Sequence, residues 1–392
     1  MDLANPDLYT STDRYTMWHE YSQSDAVVWS EPGLSPSGFW SVFSHRDSAA
    51  VLSPKAPFTS EYGMMIGFDA THRDNSGGRM LVTTDGPKHT DLRRLITPFM
   101  SRLREPSLES VLGQEITHII ERLRDDSATD IAIDIGPRLP AAVVCEIIGV
   151  PESDREFLIK LTNHAFGGHE PTFDKMTSSE AHTEILFYFY QLIADREDHP
   201  ADDLISALLS SGLGADDIVI NCDNVLIGGN ETTRHAVTGL FHALGTHPEA
   251  WHALRDEPDS IAPTVEELIR WITPAAHVLR VATEDTTIGA QPIREGEAVV
   301  VWLPAANRDA RVFDNANALV PDRKPNRHLG FGTGPHHCLG AAMARLELAS
   351  LLGGLREQID RIQVATPPTW MRSNLVQGYT SLKVSIDWAP GH

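Results

Sequence analysis

Residues 331–340 read Phe331-Gly-Thr-Gly-Pro-His-His-Cys338-Leu-Gly340, a glycine-rich turn that delivers one cysteine to the start of a helix-patterned segment. Glycines let backbone approach a large flat ligand with no Cβ in the way. A helix N-terminus favours thiolate over thiol, so Cys338 is placed to bind a metal. An electron-donating axial ligand to haem iron has to be such a thiolate. The other two cysteines have a simpler reading: Cys145 lies in the apolar run Ala141-Ala-Val-Val-Cys-Glu-Ile-Ile148, and both it and Cys222 are expected to be packing residues. His336-His337-Cys338 is contiguous and lacks the spacing that lets a chain wrap a zinc ion.

A second centre is Gly228-Gly-Asn-Glu-Thr-Thr233, two helix breakers followed by an acid and two hydroxyls. Each glycine costs about 1 kcal/mol against alanine inside a helix. A groove in the helix wall, where backbone hydrogen bonds open, would offset that cost. Glu231 and Thr232 put a carboxyl and a hydroxyl at the same place, a pairing suited to moving protons. On these residues alone, a Thr232 hydroxyl bonded to a carbonyl one turn back is an equal reading. Glu267 and Arg270, in Glu266-Glu-Leu-Ile-Arg270, share one helix face and by themselves make an ion pair of small worth.

Three of these segments resemble motifs of the cytochrome P450 haem-thiolate monooxygenases. Phe331, Gly334, Cys338 and Gly340 fill the fixed positions of that family's haem loop, Phe-x-x-Gly-x-x-x-Cys-x-Gly. Gly229, Glu231, Thr232 and Thr233 match its Ala-Gly-x-Glu-Thr-Thr motif, with Gly228 in the alanine position. Glu267 and Arg270 match its Glu-x-x-Arg, with Arg323 in Pro321-Asp-Arg-Lys-Pro-Asn-Arg-His328 as the third member. The resemblance runs from about Asp85 to the end. It implies haem b with Cys338 on the iron, Phe331, Gly229 and Gly340 beside it, and its propionates held by His89, Arg93, Arg280 and His336. Thr232 and Glu231 would then manage proton delivery to dioxygen, and Glu267, Arg270 and Arg323 would form a buried charged cluster.

Positioning these groups requires a particular set of elements. Apolar residues recur at three and four from Leu103 to Leu123 and from Ile185 to Leu192, which predicts helices. A long helix should start near Asp216 or Asp217 and end at Leu244, before Gly245 and Pro248. Strands are expected at Ala26–Trp29, Phe39–Phe43, Ala298–Leu303 and Ser381–Ile386. The fold class is mainly α with a small mixed β region, a cytochrome P450 fold occupying 1–392 as a single domain.

Composition narrows the function. The 32 basic and 54 acidic residues give a formal charge of −22, which argues against nucleic acid. Three cysteines suggest a reducing compartment, and no apolar run reaches a membrane span, so a soluble cytoplasmic protein is expected. There is no Gly-x-Gly-x-x-Gly between a strand and a helix, hence no flavin or nicotinamide module. Electrons should come from a ferredoxin and its reductase, docking near Arg94, Arg102 and Arg345. The expected reaction is hydroxylation, or oxidative cyclisation or coupling, of a small organic substrate in natural-product biosynthesis, peptide-derived or polyketide and free or carrier-bound. A peroxide-using peroxygenase and a non-catalytic haem protein are the alternatives. Pocket lining is expected from Phe58–Met80 (with Met64 and Met65), Phe157–Tyr190 (with Phe166), the helix near Ile227, Pro274–Val278 and Asn374–Gln377.

Overall fold

The run Ala298-Val-Val-Val-Trp302 is buried at all five positions and forms the middle strand of a five-stranded sheet. β-branched residues suit a strand covered on both faces, where each buried valine stabilises the fold by about 1.5–3 kcal/mol. Phe39–Val42 pairs with it in parallel and His277–Ala282 antiparallel, with Val28–Ser30 and Phe58–Thr59 at the two edges. The structure is a computed structural model that describes residues 2–10, 14–24, 26–67, 69–125, 129–167 and 175–391.

All four expected strands differ in their bounds, Phe39–Val42 and Ala298–Trp302 only by ending one residue early. The first strand is Val28–Ser30, later than Ala26–Trp29. The segment Ser381–Ile386 is not one strand: Tyr379–Ser381 pairs with Thr369–Trp370, while Val384–Trp388 pairs with Ile359–Val364. Leu382 lies between them because its N–H donates to Asp130 Oδ1 at 2.9 Å and its carbonyl accepts from Ile131 N at 2.8 Å. Those bonds divert the backbone from one sheet to the next.

Helices make up the rest of the body. Pro106–Asp125 covers the first periodic stretch except Leu103 to Glu105, which precede the helix, and Ser178–Asp198 contains the second, opening on a capping box from Thr177 to Glu180. The long helix runs Ala215–Thr246, one residue earlier and two later than expected. Gly214 precedes it in extended backbone, and Asp216 and Asp217 sit in its first turn, where carboxylates complement the helix dipole. Nineteen of its residues are buried, so it crosses the core with helices packed on several sides. Cys145 and Cys222 are fully buried within this packing. No described helix is long and apolar enough to cross a membrane.

Candidate active site

The cysteine turn is closed by its own backbone. Gly332 N donates to Leu329 O, His337 N to Gly334 O, and Cys338 N to Phe331 O at 2.9 Å. Gly334 has φ +74°, and a Cβ there would lie 2.1 Å from the Leu52 carbonyl, so only glycine fits. Cys338 then leads through Gly340 into the helix Ala341–Gln358. Cys338 is exposed as a residue, yet protein surrounds it at longer range. Burial raises the thiol above its ordinary pKa, against the opposing pull of the Gly340 N–H and the Arg93 and Arg345 charges. The expected thiolate preference at this turn is therefore corrected for the chain alone, because desolvation outweighs the helix terminus. A metal cation bound there would supply the missing stabilisation. Phe331, whose carbonyl accepts from Cys338 N, has the Arg345 guanidinium 4.6 Å from its ring centroid.

Four residues expected to meet carboxylates converge beside the turn. His89 and Arg93 lie on the helix Gly86–Met100, Arg280 on the strand His277–Ala282, and His336 two residues before the cysteine. The His89 and His336 rings are 4.3 Å apart. Burial and the charges of His336, Arg93 and Arg280 hold His89 down at about 4. Protein groups already engage three of the four: Arg93 donates to His337 O at 2.8 Å, Arg280 to Leu279 O at 2.8 Å, and His336 Nε2 contacts Asp85 at 2.9 Å. The fourth is an orphan, since His89 Nε2 is buried with no partner. Two guanidiniums and two imidazoles facing one carboxylate, Asp85, leave an excess of donors. That excess fits the two propionates of a haem, as the turn fits its iron.

Asp85 is one residue that sequence reasoning quoted but gave no role. It accepts from Thr59 Oγ1, Ser60 N and Ser60 Oγ at 2.7–2.8 Å, and burial fails to raise its pKa against those bonds and His336. The signal was its place directly before Gly86 and Pro87, the start of the helix that carries His89.

The long helix stays helical through Gly228 and Gly229, so the expected opening of its backbone bonds is corrected. The two glycines do different work. A Cβ on Gly229 would meet Val144 Cγ2 at 2.5 Å, whereas one on Gly228 would meet nothing within 4 Å. Gly229, expected at the cofactor, thus serves close packing against the helix Arg138–Ile148, and Gly228 is the open position. Thr232 Oγ1 donates to Gly228 O at 2.9 Å. Glu231 is buried, which raises its pKa against the lowering charge of Arg234, whose Nη1 is 3.4 Å from Oε1. Arg234 and its partner Asn163 Oδ1, 2.8 Å away, were missed because the motif ends one residue earlier.

The charged cluster is assembled from distant segments. Arg270 donates to both Glu267 oxygens at 2.7 Å, and Arg323 Nε reaches the same oxygens at 3.0 and 3.1 Å. Arg270 also donates to the carbonyls of Asn307, Ala316 and Ala318. Glu267 and Arg270 are fully buried and Arg323 nearly so.

Three of the expected lining segments meet. His277 Nε2 accepts from Ile66 N at 3.0 Å while its Nδ1 contacts Asn374 O at 2.9 Å, and Ala276 N donates to Leu375 O. The Phe166 side chain and residues 168–174, expected in the same lining, lie outside the described residues. A surface groove of about 650 Å³, between the helices Pro106–Asp125 and Glu152–Thr162, includes none of the site residues.

The arginines expected to dock an electron donor are engaged within the chain. Arg94 pairs with Asp91 at 3.1 Å, Arg102 with Asp202 at 2.5 Å and Arg345 with Glu266 at 2.5 Å. In a chain with so many carboxylates, arginines find intramolecular partners. Among the described residues, no group of three or more His, Cys, Asp or Glu is placed to hold a metal ion.

The cytochrome P450 family profile matches residues 155–355. Cytochrome P450 NovI of Streptomyces niveus is 32% identical over 98% of this chain and 96% of its own length. The crystal structure of P450 OxyD, described as involved in the biosynthesis of vancomycin-type antibiotics, superposes with a TM-score of 0.94 at 53% identity, covering 99% of this chain and 100% of that one. P450BioI in complex with an acyl carrier protein bearing hexadec-9Z-enoic acid gives 0.81 at 26% identity over 96% and 99% of the two chains. With a single cysteine on a glycine turn, an orphaned imidazole among cationic neighbours and whole-length likeness of sequence and fold, this chain belongs to the cytochrome P450 monooxygenases, which use haem.

Proposed function

We propose that the protein hydroxylates a small, amino-acid- or peptide-derived substrate in antibiotic-type biosynthesis, with the substrate presented on a carrier protein. The likeness to OxyD supports the biosynthetic setting and the BioI complex supports carrier presentation, each by analogy. The cofactor is haem b, which when bound activates dioxygen for insertion of one oxygen atom. Cys338 holds the iron, and His89, Arg93, Arg280 and His336 receive the propionates. Phe331 shields the cysteine side from water. Gly340 supplies the N–H that steadies the thiolate.

The observation that carries a dioxygen route is the adjacent pair Thr232 and Glu231 beside the open position Gly228. The balance is substrate C–H, dioxygen, two electrons and two protons giving alcohol and water. Thr232 exchanges its bond to the Gly228 carbonyl for one to a water or substrate-side oxygen, and Glu231 supplies protons. A peroxygenase would need neither. Ferredoxin and its reductase deliver the electrons, with exposed Lys55 and Lys88 near the cysteine turn replacing the engaged arginines as docking charges. Residues 1–392 act as one domain, in the cytoplasm.

The test is a stoichiometry. Thr232→Ala should consume reductant and dioxygen while releasing peroxide in place of product. Glu231→Gln should slow the whole cycle about a hundredfold. Cys338→His should remove the red-shifted carbon monoxide band of the reduced protein. Thr232→Ala with wild-type coupling would overturn the proton-delivery reading, and a retained band would overturn the ligand assignment.

A further inference from the structure

Two side chains of its own helix flank Glu231. Its Oε1 lies 3.4 Å from Arg234 Nη1, and its Oε2 lies 3.9 Å from His235 Nε2. Arg234 is held from outside by Asn163 Oδ1 at 2.8 Å and by the Ala132 carbonyl at 3.4 Å. His235 is fully buried, and its Nδ1 accepts from the Tyr379 backbone N–H at 3.3 Å.

That last bond decides the tautomer. A ring nitrogen that accepts from an N–H carries no proton of its own. Burial, with the Arg234 and Arg14 charges, holds the pKa of His235 well below the ordinary imidazole value, so the ring is neutral. Its proton must then sit on Nε2. Nε2 is buried and has no hydrogen-bond partner. The Gly378 backbone packs against the ring, where a Cβ would lie 2.6 Å from both Cε1 and Nε2. The strap carrying Gly378 is itself anchored: Gln377 donates to the carbonyls of Ile272 and Thr273 and accepts from Trp18 Nε1.

We infer that His235 is a positioning residue for Glu231: its Nε2–H, 3.9 Å from Oε2 and with no other partner, is the donor available to that oxygen while Arg234 holds the other, so that closing this short gap keeps the carboxyl in one orientation for proton transfer. The inference rests on the proton-supplying role proposed for Glu231. The Tyr379 N–H fixes the His235 tautomer, which links the C-terminal strand region to the acid of the long helix. The charged and titratable groups acting here are Arg234 and His235 on the same helix and Arg14 from the N-terminal helix Arg14–Ser22, while Asn163 and the Ala132 carbonyl contribute neutral dipoles. A buried carboxylate that loses a nearby N–H dipole becomes more basic.

The tautomer is read first, on unmutated full-length holoprotein in its diamagnetic reduced, carbon-monoxide-bound form with nitrogen-15 histidine. The His235 signal, identified by its loss in His235→Gln, should report a proton on Nε2 and no titration from pH 5 to 8. A proton on Nδ1, or an imidazolium in that range, overturns the inference whatever the variants do. The second measurement is the infrared carbonyl band of Glu231, identified by its loss in Glu231→Gln. His235→Phe, which keeps a flat ring and removes the donor, should raise the proton affinity of Glu231 about tenfold. His235→Gln, which restores an amide donor, should return it towards wild type. An unchanged titration in a His235→Phe protein with normal haem content overturns the inference. Normal turnover in Glu231→Gln would instead overturn the reading beneath it, so the two failures are distinguishable.

Discussion

Glu267 receives Arg270, Arg323 Nε, Val320 N and Asn326 Nδ2 on two oxygens with no solvent contact. A buried carboxylate with this many donors is stable only while all of them stay in place. Removing one partner leaves an uncompensated buried charge, at a cost of about 3–5 kcal/mol. Glu267→Ala and Arg270→Ala should therefore each yield little haem-loaded protein. Expression with haem quantified against polypeptide tests this, and normal loading in both would show that the cluster is dispensable. In sequence the same two residues three apart read as a weak surface pair. Only burial, which depends on the segments around Asn307, Ala316 and Arg323, turns them into a point on which the fold depends.

At the scale of elements, the two glycines of the long helix separate cleanly. Gly229→Ala would drive a methyl group into Val144 across the contact with the helix Arg138–Ile148. Overpacking of that kind costs about 1–3 kcal/mol. Gly228→Ala points into open space and should gain up to about 1 kcal/mol from helix propensity while narrowing the site. Urea unfolding of the two variants should thus move in opposite directions, and substrate binding should weaken in Gly228→Ala alone. Equal and same-sign shifts would contradict the assignment of faces. Sequence reasoning treated the pair together because helix cost is the same for both. The neighbour that distinguishes them comes from another helix, and no spacing rule within residues 215–246 contains it.

Across the whole molecule, a net charge of −22 makes intramolecular cation–carboxylate contacts the rule. Glu266 is a case in point: burial would raise its pKa, yet bonds from His328 and Arg345 hold it down at about 2, from an ordinary 4.5. A carboxyl depressed in the folded state contributes stability that is present above its unfolded pKa and lost as pH falls through its folded one. Here that window runs from about 4.5 down to about 2. Glu266→Gln should be less stable than wild type at neutral pH, and the gap should close as pH falls through that window. Urea midpoints measured at intervals from pH 7 to 2.5 would check it. A gap undiminished between pH 7 and 2.5 would assign the loss to packing instead of charge.

The sequence alone determined the chemistry-bearing positions whose constraints are local. Cys338 on its glycine turn, the acid and hydroxyl at Glu231 and Thr232, the long helix to within a few residues, and the mainly helical class all follow from spacing within one segment. Tertiary structure decided whatever depends on a partner from elsewhere. It tied Arg102 and Arg345 to carboxylates, split the last strand at Leu382 through Asp130, packed Gly229 against Val144, and brought the Tyr379 N–H to His235 Nδ1. Burial and hydrogen bonding between distant segments are properties of the packed chain, and they set the charge state and orientation of groups whose identity the sequence had already disclosed.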